Sequence, residues 1–186
     1  NYAHMIIEEF MIAANEAVAE HLEAAGIPAL YRIHEEPDPL KLENIMKVMK
    51  SAGRMKHPLK PKDFPDILKA IKGKPEEEII NYMVLRSLKQ ARYSHINTGH
   101  FGLASECYTH FTSPIRRYPD LVVHRILREV LYKKQLPEKR IQEFNKLLPD
   151  IAFTSSQTER LAEKAEREVI NAMRVWFMKD KVGEEF

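Results

Sequence analysis

Apolar side chains recur every three to four positions over residues 4–22, where Ile7, Met11, Ala14, Val18 and Leu22 form one stripe and Ile6, Phe10, Ala13 and Ala17 widen it. That period predicts a helix, and so broad an apolar surface predicts a central one packed on several sides. Residues 28–36 read as a short extended piece, and the PDP at 37–39 punctuates it ahead of a helix over 39–52. A basic, proline-rich connector at 56–65 leads to helices at 63–72 and 76–92. The second opens behind Pro75 with Glu76, Glu77 and Glu78 on its first turn, where the helix dipole favours acids. Residues 100–104 and 108–111 have the pattern of two short strands around a tight connection. Pro119 suits the start of a helix reaching about residue 133, with Leu121, Val122, Ile126, Val130 and Leu131 turned inward. A short helix over 140–148 follows Pro137. Ser156 and Glu159 have capping-box spacing and open a final helix to about 181, striped by Leu161, Ala165, Val169, Ala172 and Trp176. The expected architecture is mainly helical with a small β element, and no internal repeat or low-complexity segment interrupts it.

Composition adds few constraints. The 186 residues, 44% hydrophobic and 30% charged, suffice for one domain with a real core. With 29 basic against 27 acidic side chains the net charge is only +2, so any argument for a nucleic-acid partner rests on where charges sit. One cysteine, Cys107, precludes an intramolecular disulfide and a cysteine-rich zinc site; it fits a reducing cytoplasm and a small buried side chain. No apolar run approaches the ~20 residues that span a bilayer, which gives the expectation of a cytoplasmic protein without a membrane partner. Six aspartates are dispersed among twenty-one glutamates, and they form no dense aspartate cluster of the kind that holds two divalent ions. His95, His100, His110 and His124 match no HExxH spacing; His110 and His124 are better read as fixing a turn and packing its helix.

The strongest chemical signal is residues 108–125, YTHFTSPIRRYPDLVVHR, which set Arg116 and Arg117 in a proline-bracketed turn just before an amphipathic helix. A guanidinium is a planar, permanently charged fork that matches phosphate oxygens, and a helix start adds unpaired N–H groups. A nucleic-acid backbone is therefore the first ligand to consider. The opposing reading is a salt-bridged surface corner, with both arginines pairing to Asp120 or a neighbouring glutamate.

Those eighteen residues resemble the signature of the ribonuclease II / ribonuclease R family of 3′→5′ exoribonucleases, whose catalytic module is the RNB domain. Residues 6–22 (IIEEFMIAANEAVAEHL), 28–43 (PALYRIHEEPDPLKLE) and the SLKQARYS and HFGLA segments between 87 and 104 agree with it. The wording resembles the ribonuclease R branch more than the ribonuclease II branch. The resemblance implies that residues 1–180 are the C-terminal part of an α+β RNB catalytic domain, and that KVGEEF at 181–186 leads into an S1-type RNA-binding barrel.

It also implies roles. Arg116, the first arginine of SPIRR, would stabilise charge on the non-bridging oxygens as water attacks, while Arg117 is a backbone or structural contact. Glu8, the first of an EE pair, would accept a hydrogen bond from a ribose 2′-OH, with Glu9 as the choice one register away and Asn15 in support. Glu166, in KAEREV, would lie beside the RNA 3′ end, whereas Glu163 and Arg167 look like an i, i+4 pair on a solvated face. Tyr93, Phe101, Tyr108, Phe111 and Tyr118 stand as core or stacking aromatics with no single one assigned. The family uses two divalent ions, normally Mg2+, whose aspartates belong to an upstream motif, so this chain alone is expected to have at most trace activity. The implied parent threads the 3′ end of single-stranded RNA and releases nucleoside 5′-monophosphates. The alternatives are an RNB-like module that binds RNA or a partner without hydrolysis, and a helical scaffold whose turn is only a corner.

Overall fold

The structure is a computed structural model that describes residues 2–51, 64–133, 136–181, 183 and 184. Most of the expected connector at 56–65, the last residue of the helix expected over 39–52 and part of the 181–186 stretch lie outside those residues. The helical expectation holds. The elements run α1 (Tyr2–Ala24), β1 (Tyr31–Ile33), α2 (Pro39–Ser51), α3 (Phe64–Ile71), α4 (Glu77–Ser87), β2 (Arg92–Ser94), α5 (Tyr118–Lys133) and α6 (Glu138–Met178).

Helix α1 stops because Gly26, at φ +65, takes the left-handed position. The Ile27 N–H donates to the Leu22 carbonyl and the Gly26 N–H to the Glu23 carbonyl, both at 2.9 Å, and Ile27 packs on the cluster that buries Leu22. This turn feeds β1, which pairs antiparallel with β2 in the register Arg32 opposite Tyr93. Around the two strands, Leu22, Leu30, Ile33, Val123, Ile126 and Leu148 close the main core. A second core, built on Ile45, Ile71 and Ile80, joins α2, α3 and α4 into a separate three-helix lobe. Glu35 ties the lobes together by accepting from Lys89 at 2.8 Å and Arg92 at 2.7 Å.

Four expectations need correction. Residues 100–104 and 108–111 are not strands: Phe101–Leu103 is a 3-10 turn, and 100 and 105 make only isolated bridges. Their polar groups go elsewhere. The Tyr108 carbonyl accepts from the Arg32 N–H at 2.9 Å and the Thr109 hydroxyl donates to the Leu30 carbonyl, so the segment braces β1 without forming a ladder. Residues 76–92 do not form one helix, because α4 ends at Ser87 and Arg92 begins β2.

The two helices expected after Pro137 are one helix of 41 residues with Pro149 inside it. Phe144, Leu148, Ala152, Ser155 and Ser156 bury along one side of it, and this packing outweighs the hydrogen bond that Pro149 cannot make. Ser156 caps nothing: its hydroxyl donates to the Ala152 carbonyl and accepts from the Tyr93 N–H.

The last correction concerns packing. In α1 only Asn15, Ala19 and Leu22 are buried, and Phe10 is 69% exposed. The expected stripe of α6 from Leu161 to Trp176 is likewise in solvent, as is Leu131 of α5. Among the described residues no element covers these faces. Cys107 is buried as expected, and burial first, then the Glu23 carboxylate, pushes its thiol up to about 12.

Candidate nucleic-acid interface

The arginine turn is held from the first turn of α5. The Ser113 carbonyl accepts from the Arg116 and Arg117 N–H groups, at 3.3 and 3.1 Å, and the Arg117 carbonyl accepts from the Leu121 N–H as the helix begins. Asp120 lies three residues into this start and is fully buried. A single oxygen, Oδ2, accepts from the Ser113 N–H at 2.8 Å, Arg117 Nε at 3.1 Å and Arg117 Nη2 at 2.7 Å. One carboxylate therefore closes the turn and immobilises one guanidinium. His124 secures the preceding segment: its Nε2–H donates to the Phe111 carbonyl at 2.8 Å and its ring stacks on that of Phe111 at 3.9 Å. This is the role expected for it.

The two arginines thus have different fates. Arg117 is the salt-bridged residue of the scaffold reading, whereas the Arg116 side chain is exposed and has no ion pair or hydrogen bond among the described residues. Arg116, Arg117 and Glu166 line one cavity of about 470 Å3 between the turn and α6. Three glutamates face the turn there. Glu159 is bound to Arg32 at 2.6 Å and Glu163 accepts from Gln90 at 3.1 Å, so the expected Glu163–Arg167 pair does not form. Glu166 is exposed and without a hydrogen-bond or ion-pair partner among the described residues. At the back of the cavity the Tyr93 ring lies beneath the Arg32 guanidinium at 4.7 Å, and its hydroxyl shares a hydrogen bond of 2.9 Å with His110 Nδ1.

Burial, reinforced by the Arg117 and Arg32 charges, holds the His110 imidazole down at about 3, so it is neutral at ordinary pH. Burial likewise pushes the Tyr93 phenol up to about 12. Neither group is poised to exchange protons near neutrality; together they form a rigid floor.

Arg117 also borders a second cavity of about 470 Å3, lined by Glu8, Met11, Asn15, Tyr108 and Thr112. Asn15 is 3% exposed, donates to the Tyr108 hydroxyl at 2.8 Å and accepts from the Phe111 N–H at 2.9 Å. Its side chain pins the turn's approach segment to α1. Glu8, not Glu9, lies on this cavity, and it is exposed there, not buried in an apolar helix. The other four predicted site residues therefore line cavities that Arg117 borders. Sequence reading assigned no role to Tyr93 and treated Asp120 only as a possible pairing partner. Asp120 had a local signal, an acid three residues after Arg117 on a helix start, but the Arg32–Glu159 pair spans 127 positions and had none. Among the described residues no group of three or more His, Cys, Asp or Glu side chains is placed to hold a metal ion, so the divalent ions implied by the resemblance have no fitting site here.

An exposed arginine on an acid-braced turn thus faces an exposed carboxylate, Glu166, across a shared cavity. The family model of the RNB domain matches residues 1–133, and the chain belongs to that family. It is 45% identical over 187 residues to ribonuclease R of Aquifex aeolicus, covering 99% of this chain and 26% of that protein. The chain thus spans about a quarter of that relative's length. The structure of Mycoplasma genitalium RNase R in complex with ribose methylated single-stranded RNA superimposes with a TM-score of 0.86 and 31% identity, over 98% of this chain and 29% of the other. The yeast pseudonuclease Ssd1 matches with a TM-score of 0.60 and 27% identity, over 81% of this chain and 20% of the other.

Proposed function

We propose that this chain is part of the catalytic domain, residues 1–180, of a processive 3′→5′ exoribonuclease that hydrolyses single-stranded RNA to nucleoside 5′-monophosphates. The observation that carries the reading is the convergence of Arg116, Glu166 and Glu8 on two cavities that share Arg117. Arg116 meets the non-bridging oxygens of the scissile phosphate, where charge grows as the transition state forms, so its contribution is larger there than in the ground state. Glu8 accepts from the terminal 2′-OH and distinguishes RNA from DNA. Glu166 positions the 3′ end. Arg117 and Asn15 act through the backbone they hold.

The two divalent ions, normally Mg2+ in the family, would be held by aspartates of the preceding part of the domain, as the resemblance implies. The isolated chain accordingly has trace nuclease activity at most. Flanking RNA-binding domains of the same polypeptide would be its partners and the cytoplasm its compartment; no described helix is long and apolar enough to cross a membrane.

A second reading, an RNA-holding module without hydrolysis, draws support from the likeness to a pseudonuclease. The test is a gel assay of 5′-labelled RNA with a 3′ tail and Mg2+, comparing this chain with a longer polypeptide carrying the preceding part of the domain. Degradation only by the longer protein supports the exonuclease. RNA binding without degradation by the longer protein supports the second reading.

A further inference from the structure

Helix α6 meets β2 along a seam closed by the Tyr93 N–H and the Ser156 hydroxyl, at 2.9 Å, and the two sides of this seam differ in charge. On the arginine-turn side the helix contributes Glu159, Glu163 and Glu166. On the other side Phe153, Gln157 and Arg160 recur at i, i+4 and i+7, one stripe of a helix. With Arg92, His95 and Ile96 they line a groove of about 430 Å3 in which no lining residue is acidic. Arg92 is already neutralised by Glu35, at 2.7 Å. Arg160 is exposed and makes no ion pair among the described residues, and Phe153 stands 66% exposed one turn away from Gln157.

A free cation, an amide and an open aromatic face on one stripe, in a groove without carboxylates, is the combination that holds single-stranded nucleic acid: charge for the backbone and a platform for a base. We infer that this groove is a second contact site for single-stranded RNA, separate from the arginine turn. Arg160 meets a phosphate, Phe153 stacks on a base, and Gln157 and His95 supply hydrogen bonds. The inference rests on the RNA reading of the turn only for the choice of RNA as the ligand.

The test is fluorescence anisotropy of a labelled RNA of about 12 nucleotides with the 186-residue chain, across a salt series. Arg160→Glu should weaken binding about tenfold at low salt and reduce the salt slope by about 0.7, the contribution of one phosphate contact in a single strand. Phe153→Ala should weaken it by a similar factor and leave the slope unchanged. Lys164→Glu makes the same charge change outside the groove and should alter affinity less than about twofold. Circular dichroism checks that each of these exposed-site variants remains folded. Equal weakening by Lys164→Glu would overturn the proposal, because the effect would be general surface charge. Loss of binding in Arg116→Ala but not in Arg160→Glu or Phe153→Ala would overturn it while leaving the turn intact as a site. The reverse pattern would sustain the groove and sink the reading of the turn. Absence of RNA binding by the wild type at low salt overturns both. Affinity for an acidic peptide that falls with Arg160→Glu, with RNA affinity unmoved, would give the groove to a protein partner and overturn it as well.

Discussion

The two walls of the cavity beside Arg116 differ in how much of their chemistry is already used. On the turn wall, Asp120 Oδ2 binds Ser113 and Arg117, and His124 and Asn15 fix the preceding segment; among the described residues the exposed Arg116 side chain is left over, together with two buried acceptors, Asp120 Oδ1 and the Thr112 hydroxyl. On the α6 wall, Glu159 and Glu163 are engaged with Arg32 and Gln90, and beyond Arg160 the helix is in solvent on all sides. One wall is fixed by buried bonds; the other is pinned through Ser156, Glu159 and Glu163, and beyond these it is carried by the helix alone. The lesson is that a charged group without an internal partner is informative when the backbone beneath it is locked. Arg116 is informative in that sense and Arg117, its neighbour, is not.

The comparison is broken most severely at Asp120. Asp120→Ala removes one buried carboxylate and strands both the Ser113 N–H and the Arg117 guanidinium, an expected loss of about 3 kcal/mol. Urea unfolding of the two proteins measures it, and a loss below about 1 kcal/mol would mean that the turn is held by something else. Asn15→Ala comes next. Two buried hydrogen bonds disappear and the Phe111 N–H is left unpaired, so stability should fall by about 2 kcal/mol, with Asn15→Asp retaining the acceptor and part of the effect.

A smaller effect is predicted from pH. His110 is held at about 3 and His100 at about 4, chiefly by burial, whereas both titrate near 6.5 in the unfolded chain. Below 6.5 the unfolded state takes up protons that the folded state refuses, so stability falls as pH drops toward 4. Over pH 6.5 to 5.5, before most carboxylates titrate, each of the two histidines should contribute a decline on the order of 1 kcal/mol, and His110→Gln should remove its share and leave that of His100. The smallest effect is on the stability of Arg116→Ala. With no internal partner to lose, it should unfold within about 0.5 kcal/mol of the wild type.

Legibility followed the range of the interactions. Helices α1 and α5 were readable because a 3.6-residue period repeated over several turns, and the turn was readable because its prolines and arginines lie within ten residues. The extended piece read over 28–36 contains the strand Tyr31–Ile33, whereas Arg92–Ser94 was missed because three residues are too short to display a period of two. The continuity of α6 was not legible: the helix expected over 140–148 stops short of Pro149, whose cost is local, while the burial of Leu148 and Ala152 that offsets it depends on elements elsewhere in the chain. In α1, apolar periodicity predicted a central helix, but periodicity reports which face is apolar and not what covers it. The sequence singled out Glu8, Asn15, Arg116, Arg117 and Glu166, and the structure places them on two cavities that share Arg117; the Arg32–Tyr93–Glu159 stack was not legible, since it joins segments far apart in sequence.

The central claim is that Arg116 acts on the reacting phosphate while Arg117 holds the turn. The most direct test is the rate of hydrolysis at saturating RNA by the complete parent polypeptide, with Arg116→Ala and Arg117→Ala compared against wild type and the melting temperature of each recorded. The account predicts that Arg116→Ala lowers the rate by about 10^2–10^3 with an unchanged melting temperature, while Arg117→Ala lowers the melting temperature. An Arg116→Ala protein that keeps its rate within about threefold, beside a stable Arg117→Ala protein that loses it, would contradict the account and exchange the two roles.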